Sequence, residues 1–93
     1  MYERDVVASI LRYLRGLPRC YAWKTHGNQY MAGIPDIIAC VGGQFVAFEV
    51  KRPDGKPTPL QEATIRKINE AGGTARVVHS AEEVREILKN LNV

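Results

Sequence analysis

No run of the chain approaches the roughly 20 apolar residues that a membrane-spanning helix needs. Cysteine is scarce. The two present, Cys20 and Cys40, lie in strand-like runs without CxxC spacing or paired histidines, which argues against a zinc site. In a reducing compartment both are expected as free, buried thiols rather than as a disulfide. Repeats, low-complexity tracts and internal linkers are also missing, so the 93 residues read as one domain, 1–93. Met1 leads straight into Glu3, Arg4 and Asp5, which is unlike a signal peptide, and a cytoplasmic location is expected. Thirteen Lys and Arg against ten Asp and Glu give a net charge of +3, compatible with a polyanionic partner without requiring one. A hydrophobic content of 45% with 25% charged residues is ordinary for a globular protein. A chain this short buries only roughly 60–65% of its unfolded surface, so the core is thin and self-association is expected.

Periodicity divides the chain into seven elements. Val6, Val7, Ile10, Leu11 and Leu14 recur at helical spacing, and Gly16 with Pro18 ends that helix. Cys20–Lys24 reads as a short strand, and His26–Gly33 as a polar loop. Asp36–Val41 and Gln44–Lys51 are β-rich runs joined by Gly42-Gly43, a two-residue hairpin signal. Arg52–Pro57 is a turn-rich loop. A second helix opens with Thr58 as N-cap and Pro59 at its first position, and closes at Gly72-Gly73. Thr74–His79 is a strand; Ser80, with Glu83 three residues on, opens a last helix whose apolar face is Val84, Ile87, Leu88 and Leu91. The order α-β-β-β-α-β-α implies an α/β fold with a mixed central sheet flanked by helices.

The hairpin carries the chemistry. If Gly42-Gly43 is its turn, facing pairs run outward from Val41 and Gln44, and Asp36 arrives opposite Glu49. Opposed residues have Cβ atoms roughly 4.5–5.5 Å apart, and like charges there destabilise the sheet. Two carboxylates so placed imply a cation between them or a proton on one. On this reading, removing either acid leaves the metal-free fold intact or stabilised. Lys51 lies two residues beyond Glu49 and points to the same side. The bland alternative is a strand-opening turn at Pro35-Asp36 and an ordinary ion pair at Glu49–Lys51. Glu3 falls within the apolar arc of the first helix, so a carboxylate is aimed toward the core side; an acid in a first turn is also favoured by the helix dipole alone. Gln61 shares a stripe with Thr64, Ile65 and Ile68, yet Thr58-x-x-Gln61 is also a capping box, and the cap and a site role both stand.

Gly33-Ile-Pro-Asp36 followed by Glu49-Val-Lys51 resembles the PD-(D/E)xK nuclease signature. Together with the basic loop after Lys51 and Leu60-Gln61 opening a helix, the chain resembles the virus-type replication–repair nuclease (VRR-NUC) domain over essentially its whole length. Pro35–Ala39 with Ala47–Lys51 is similar to archaeal Holliday-junction resolvases, more distant relatives. The resemblance implies a restriction-endonuclease-like fold and a divalent cation held by Glu3, Asp36, Glu49 and the backbone carbonyl of Val50. It also implies that Lys51 and Gln61 occupy the positions of a site lysine and glutamine, and that cleavage leaves a 5′-phosphate and a 3′-hydroxyl.

Oxygen donors of this kind suit Mg²⁺ or Mn²⁺. The expected catalytic set is therefore Asp36, Glu49, Lys51 and Gln61. Lys24, His26, Asn28 and Gln29 before Asp36, with Arg52 and Lys56 after Lys51, are the expected phosphate contacts. Tyr30 and Trp23 have rings able to stack on bases, although core packing is the reading preferred for Trp23. The expected partners are DNA, branched by the resemblance, and a second copy of the chain in a homodimer. Two competing readings remain: a non-catalytic nucleic-acid-binding module on a nuclease fold, and a hydrolase of small phosphoesters.

Overall fold

The computed structural model describes residues 2–26 and 32–93. Seven elements follow one another: α1 (Glu3–Arg15), β1 (Cys20–Lys24), β2 (Ile37–Val41), β3 (Gln44–Val50), α2 (Pro59–Glu70), β4 (Thr74–Val78) and α3 (Ala81–Asn90). The expected order is therefore the observed one, with strand ends trimmed by a residue. The four strands form one mixed sheet in the order β1-β2-β3-β4, antiparallel except for the parallel β3–β4 pair that α2 connects. No helix among the described residues is long and apolar enough to cross a membrane.

Alternation along the strands gives the sheet two unlike faces. On one, Ala22, Ile37, Ala39, Val41, Val46, Phe48, Val50 and Val78 pack against Val6, Val7, Ile10, Leu11 and Leu14 of α1 and Val84 and Leu88 of α3. This is the core, and Phe48, Ile10 and Leu14 are its largest fully buried side chains. The other face is covered by α2 over β4, leaving β1 and β2 open there. Trp23 belongs to that open face and is 41% exposed, which corrects the expectation of core packing. Cys40 lies there too. Both thiols are free, as expected, but Cys40 is exposed and Cys20 half-buried, so neither is the buried core residue anticipated.

Local chemistry sets the element ends. Thr58 Oγ1 accepts from the Gln61 N–H at 3.2 Å while Gln61 Oε1 accepts from the Thr58 N–H at 2.9 Å, a complete capping box behind Pro59. At α3 the box is half made. Ser80 Oγ accepts from the Glu83 N–H at 3.2 Å, but the Glu83 carboxylate turns to the backbone N–H and ring of His79. The Gly42-Gly43 turn has φ of +57° and +84°, the mirror-image geometry that matches strand twist.

Gly33 has a different task. Its φ is +88°, and a Cβ there would lie 2.7 Å from Leu60 Cγ and 3.1 Å from Thr64 Oγ1. The segment leading to Asp36 thus runs against the first turns of α2. Gly33→Ala is expected to cost roughly 1–3 kcal/mol in urea denaturation, from backbone strain and the clash together. Gly43→Ala, where φ is +84° and a Cβ would meet nothing within 4 Å, should cost less. Equal losses at the two positions would mean that Gly33 and α2 do not pack as described.

Candidate active site

The hairpin register decides which acids meet. Ile37 pairs with Phe48, Ile38 with Ala47 and Val41 with Gln44, so one further step brings Asp36 level with Glu49. The two arrive by different means. Glu49 is part of β3, an interior strand buried from Val46 to Val50, and is only 3% exposed. Asp36 sits in a bend just before β2, and its Oδ2 accepts a 2.8 Å hydrogen bond from the Val50 N–H. Thr25 holds Asp36 from the β1 side. Its N–H donates to the Asp36 carbonyl at 2.9 Å, and its buried hydroxyl donates to the Pro35 carbonyl at 2.6 Å.

Glu49 is out of its usual electrostatic state. Burial, first of all, and then the hydrogen bonding and charge of Asp36 push its carboxyl up to about 8. Lys51 pulls the other way, and Glu3 adds a further push. Lys51 Nζ lies 3.8 Å from Glu49 Oε2, with its side chain 17% exposed. Glu49 Oε1 is buried without a hydrogen-bond partner. A buried, unpaired carboxylate oxygen beside a second carboxylate is a costly arrangement for the protein alone. A hard cation would satisfy both, and the oxygen-only donor set suits one.

The other expected residues are less concentrated. Glu3 is the first residue of α1 and exposed; its charge reaches Glu49, but no group of three His, Cys, Asp or Glu is close enough to share a metal among the described residues. Gln61 is committed to its cap here through Oε1. Lys24, His26, Arg52 and Lys56 are exposed, with Lys24 Nζ donating to the Thr25 carbonyl at 3.3 Å. Asn28, Gln29 and Tyr30 lie outside the described residues. A shallow hollow lined by Ala8, Leu11, Arg12, Arg15 and Gly16 lies toward the far end of α1 from Glu3 and takes no part in the site.

Sequence reasoning missed two participants. Thr25 could have been found by extending the β1–β2 pairing beyond Lys24 and Ile37, had the length of the connecting loop been known. The Val50 N–H carries no side-chain signal at all. It nevertheless corrects one expectation: Asp36→Ala would strand a partly buried N–H, at a cost of about 1–3 kcal/mol, rather than leave the fold intact or stabilised. Asp36→Asn keeps an acceptor and is the better probe.

No protein-family model matches the sequence, and no curated protein does at a significant level. Among solved structures the chain is similar to a "VRR_NUC domain" with a TM-score of 0.78 and 22% identity, covering 94% of each chain. A "VRR_NUC domain protein" matches with a TM-score of 0.77 and 16% identity over 96% of this chain and 86% of the other. The chain has the VRR_NUC fold, mixed four-stranded sheet and flanking helices included.

The raised Glu49 carboxyl fixes a pH dependence of stability. The folded protein holds a proton that the unfolded chain, near its ordinary value of 4.5, gives up. Stability from this group is therefore fully present below about pH 4.5 and lost as pH rises through 8. In chelator, the wild type should lose on the order of a few kcal/mol across that window relative to Glu49→Gln, which cannot ionise. Denaturant midpoints from pH 5 to 8.5 measure it, and parallel curves for the two proteins would refute the raised carboxyl.

Proposed function

We propose that this chain is a Mg²⁺- or Mn²⁺-dependent endonuclease that hydrolyses DNA phosphodiester bonds, selective for branched DNA and acting as a homodimer. The observation that carries the reading is the Asp36–Glu49 pair, in which Glu49 is buried with an unpartnered oxygen and Lys51 lies beside it. Support also comes from the VRR_NUC fold and from the net charge of +3.

Asp36, Glu49 and the carbonyl of Val50 would hold the cation, and Glu3 would join them if the first turn of α1 draws closer. A divalent cation in such a site neutralises phosphate charge and lowers the pKa of its bound water. Glu49 gives up its proton when the cation is taken up, because only the ionised carboxylate is a ligand. Lys51 hydrogen-bonds the attacking water or the phosphoryl oxygen as negative charge develops there. Gln61 joins it when its side chain leaves the cap. Lys24, His26, Asn28, Arg52 and Lys56 contact flanking phosphates. One chain supplies one such site, whereas a four-way junction needs two opposed cuts, and a two-fold dimer presents two identical sites.

Asp36→Asn and Glu49→Gln should each lower cleavage by at least roughly 10²-fold. Mn²⁺ should raise the wild-type melting temperature, more at pH 8 than at pH 6, and leave both variants unmoved; equal shifts in all three would place the metal elsewhere. Lys51→Ala should lose rate but keep DNA affinity. A parallel loss of both would make Lys51 a phosphate contact only. Assays on supercoiled, linear, single-stranded and branched DNA, with Mg²⁺, Mn²⁺ or chelator, separate the nuclease from a binding module. Opposed nicks in a cruciform plasmid and a dimer in sedimentation are expected, and a monomer at all concentrations would remove the homodimer while leaving the nuclease standing.

A further inference from the structure

The open half of the sheet leaves aromatic side chains in water. Tyr21 is 72% exposed and Trp23 41%, and Phe45, beside them at the start of β3 and next to Gly73, is 44% exposed. The register puts them in rows: Trp23 beside Ile38 and Ala47, Tyr21 beside Cys40 and Phe45. One row further, Thr25 holds the main chain of Asp36, level with Glu49. Tyr21, Trp23 and the two carboxylates thus share one sheet face, and successive rows are roughly 7 Å apart along the strands. No helix covers β1 on this side among the described residues.

We propose that Tyr21 and Trp23 form a two-ring stacking platform for unpaired bases of the nucleic-acid strand presented to Asp36 and Glu49. The proposal rests on the reading of those carboxylates as a nuclease site, and it names the substrate class: a strand whose bases are free beside the cut, single-stranded or splayed at a branch. The geometry carries this selectivity. The two rings are tilted by 45° with centroids 5.5 Å apart. Stacked bases in a duplex rise by about 3.4 Å and lie parallel. Two successive bases can therefore meet both rings only when they are unstacked from one another, and inside a duplex both faces of each base are already taken. Every base has a π-face, so the platform is tolerant of sequence.

A second copy of the chain fits the same surface less well. With Ile38 and Cys40 included, the open face offers on the order of 400 Å², about half of the ~800 Å² per partner that a specific interface buries.

Trp23 is the single tryptophan of the chain, so its emission reports directly on the platform. The whole protein is titrated in chelator with a short oligothymidine, with an abasic strand of the same length, and with blunt duplex; anisotropy of labelled strands measures binding in parallel. Oligothymidine should quench Trp23 and the other two should not. Tyr21→Leu and Trp23→Leu should each weaken oligothymidine binding by roughly 5- to 100-fold while leaving duplex affinity unchanged. Trp23→Phe should recover most of the loss, because a phenyl ring still stacks, whereas a merely structural role would lower duplex affinity in the leucine variants as well. Unaltered emission at saturating oligothymidine would overturn the proposal, as would equal losses on single strand and duplex. Emission that shifts with protein concentration alone, with leucine variants that change the sedimenting mass, would overturn it in favour of a second copy. Because no cutting is read in chelator, failure of the nuclease reading would show separately, as absent cleavage with Mg²⁺ or Mn²⁺.

Discussion

A strand can pair with its neighbour in either of two parities, and a shift of one residue sends every side chain to the opposite face. In the β2–β3 hairpin that choice is made by the Gly42-Gly43 turn, where both residues adopt positive φ. It places Ile37, Ala39, Val46 and Phe48 in the core, and so Asp36 and Glu49 together on the other face. The hydrophobic requirement and the chemical one are met by one register. The Asp36 Oδ2 bond to the Val50 N–H then continues the pairing by a side chain where the backbone ladder stops.

What the register brings together, electrostatics pushes apart. A carboxyl at 3% exposure beside another carboxyl is stabilised by keeping its proton, and Lys51 at 3.8 Å offsets the penalty only in part. Such a site is a strain reservoir that a ligand can relieve, and pronounced carboxyl shifts of this kind concentrate at functional sites. The surrounding frame tolerates it because most of the buried apolar volume lies on the opposite face, between α1, α3 and the sheet.

Much of this was legible in the sequence. Helical spacing in α1 and α3, the Thr58 cap and the double-glycine turn each have a local physical cause, and the structure returns all seven elements in the expected order. The Asp36–Glu49 opposition followed from the turn alone. Less legible was anything that depended on which elements cover which face. Trp23 and Cys40 alternate with buried residues in β1 and β2, and only the placement of α2 over β4 decides that their side stays open. A helical wheel has no ends and so aims Glu3 at the core side; as the first residue of α1 it remains exposed. The Gln61 stripe and its capping box point to different roles, and in this structure the cap holds it.

The helix α2 contributes no fully buried side chain, although it spans Pro59–Glu70 and covers β4. Ile65 and Ile68 are only half-buried, while the residues that empty the core if removed belong to α1, the sheet and α3. Lifting α2 therefore exposes Ala47, Ala75 and its own half-buried isoleucines but none of the large core side chains, and its amides should exchange with solvent at lower free energy than those of α1 or β3. The two ends of that expected scale face each other across the sheet. The rigid layer sets the spacing of the carboxylates, and the layer that yields carries Gln61 and borders the loop through Arg52 and Lys56.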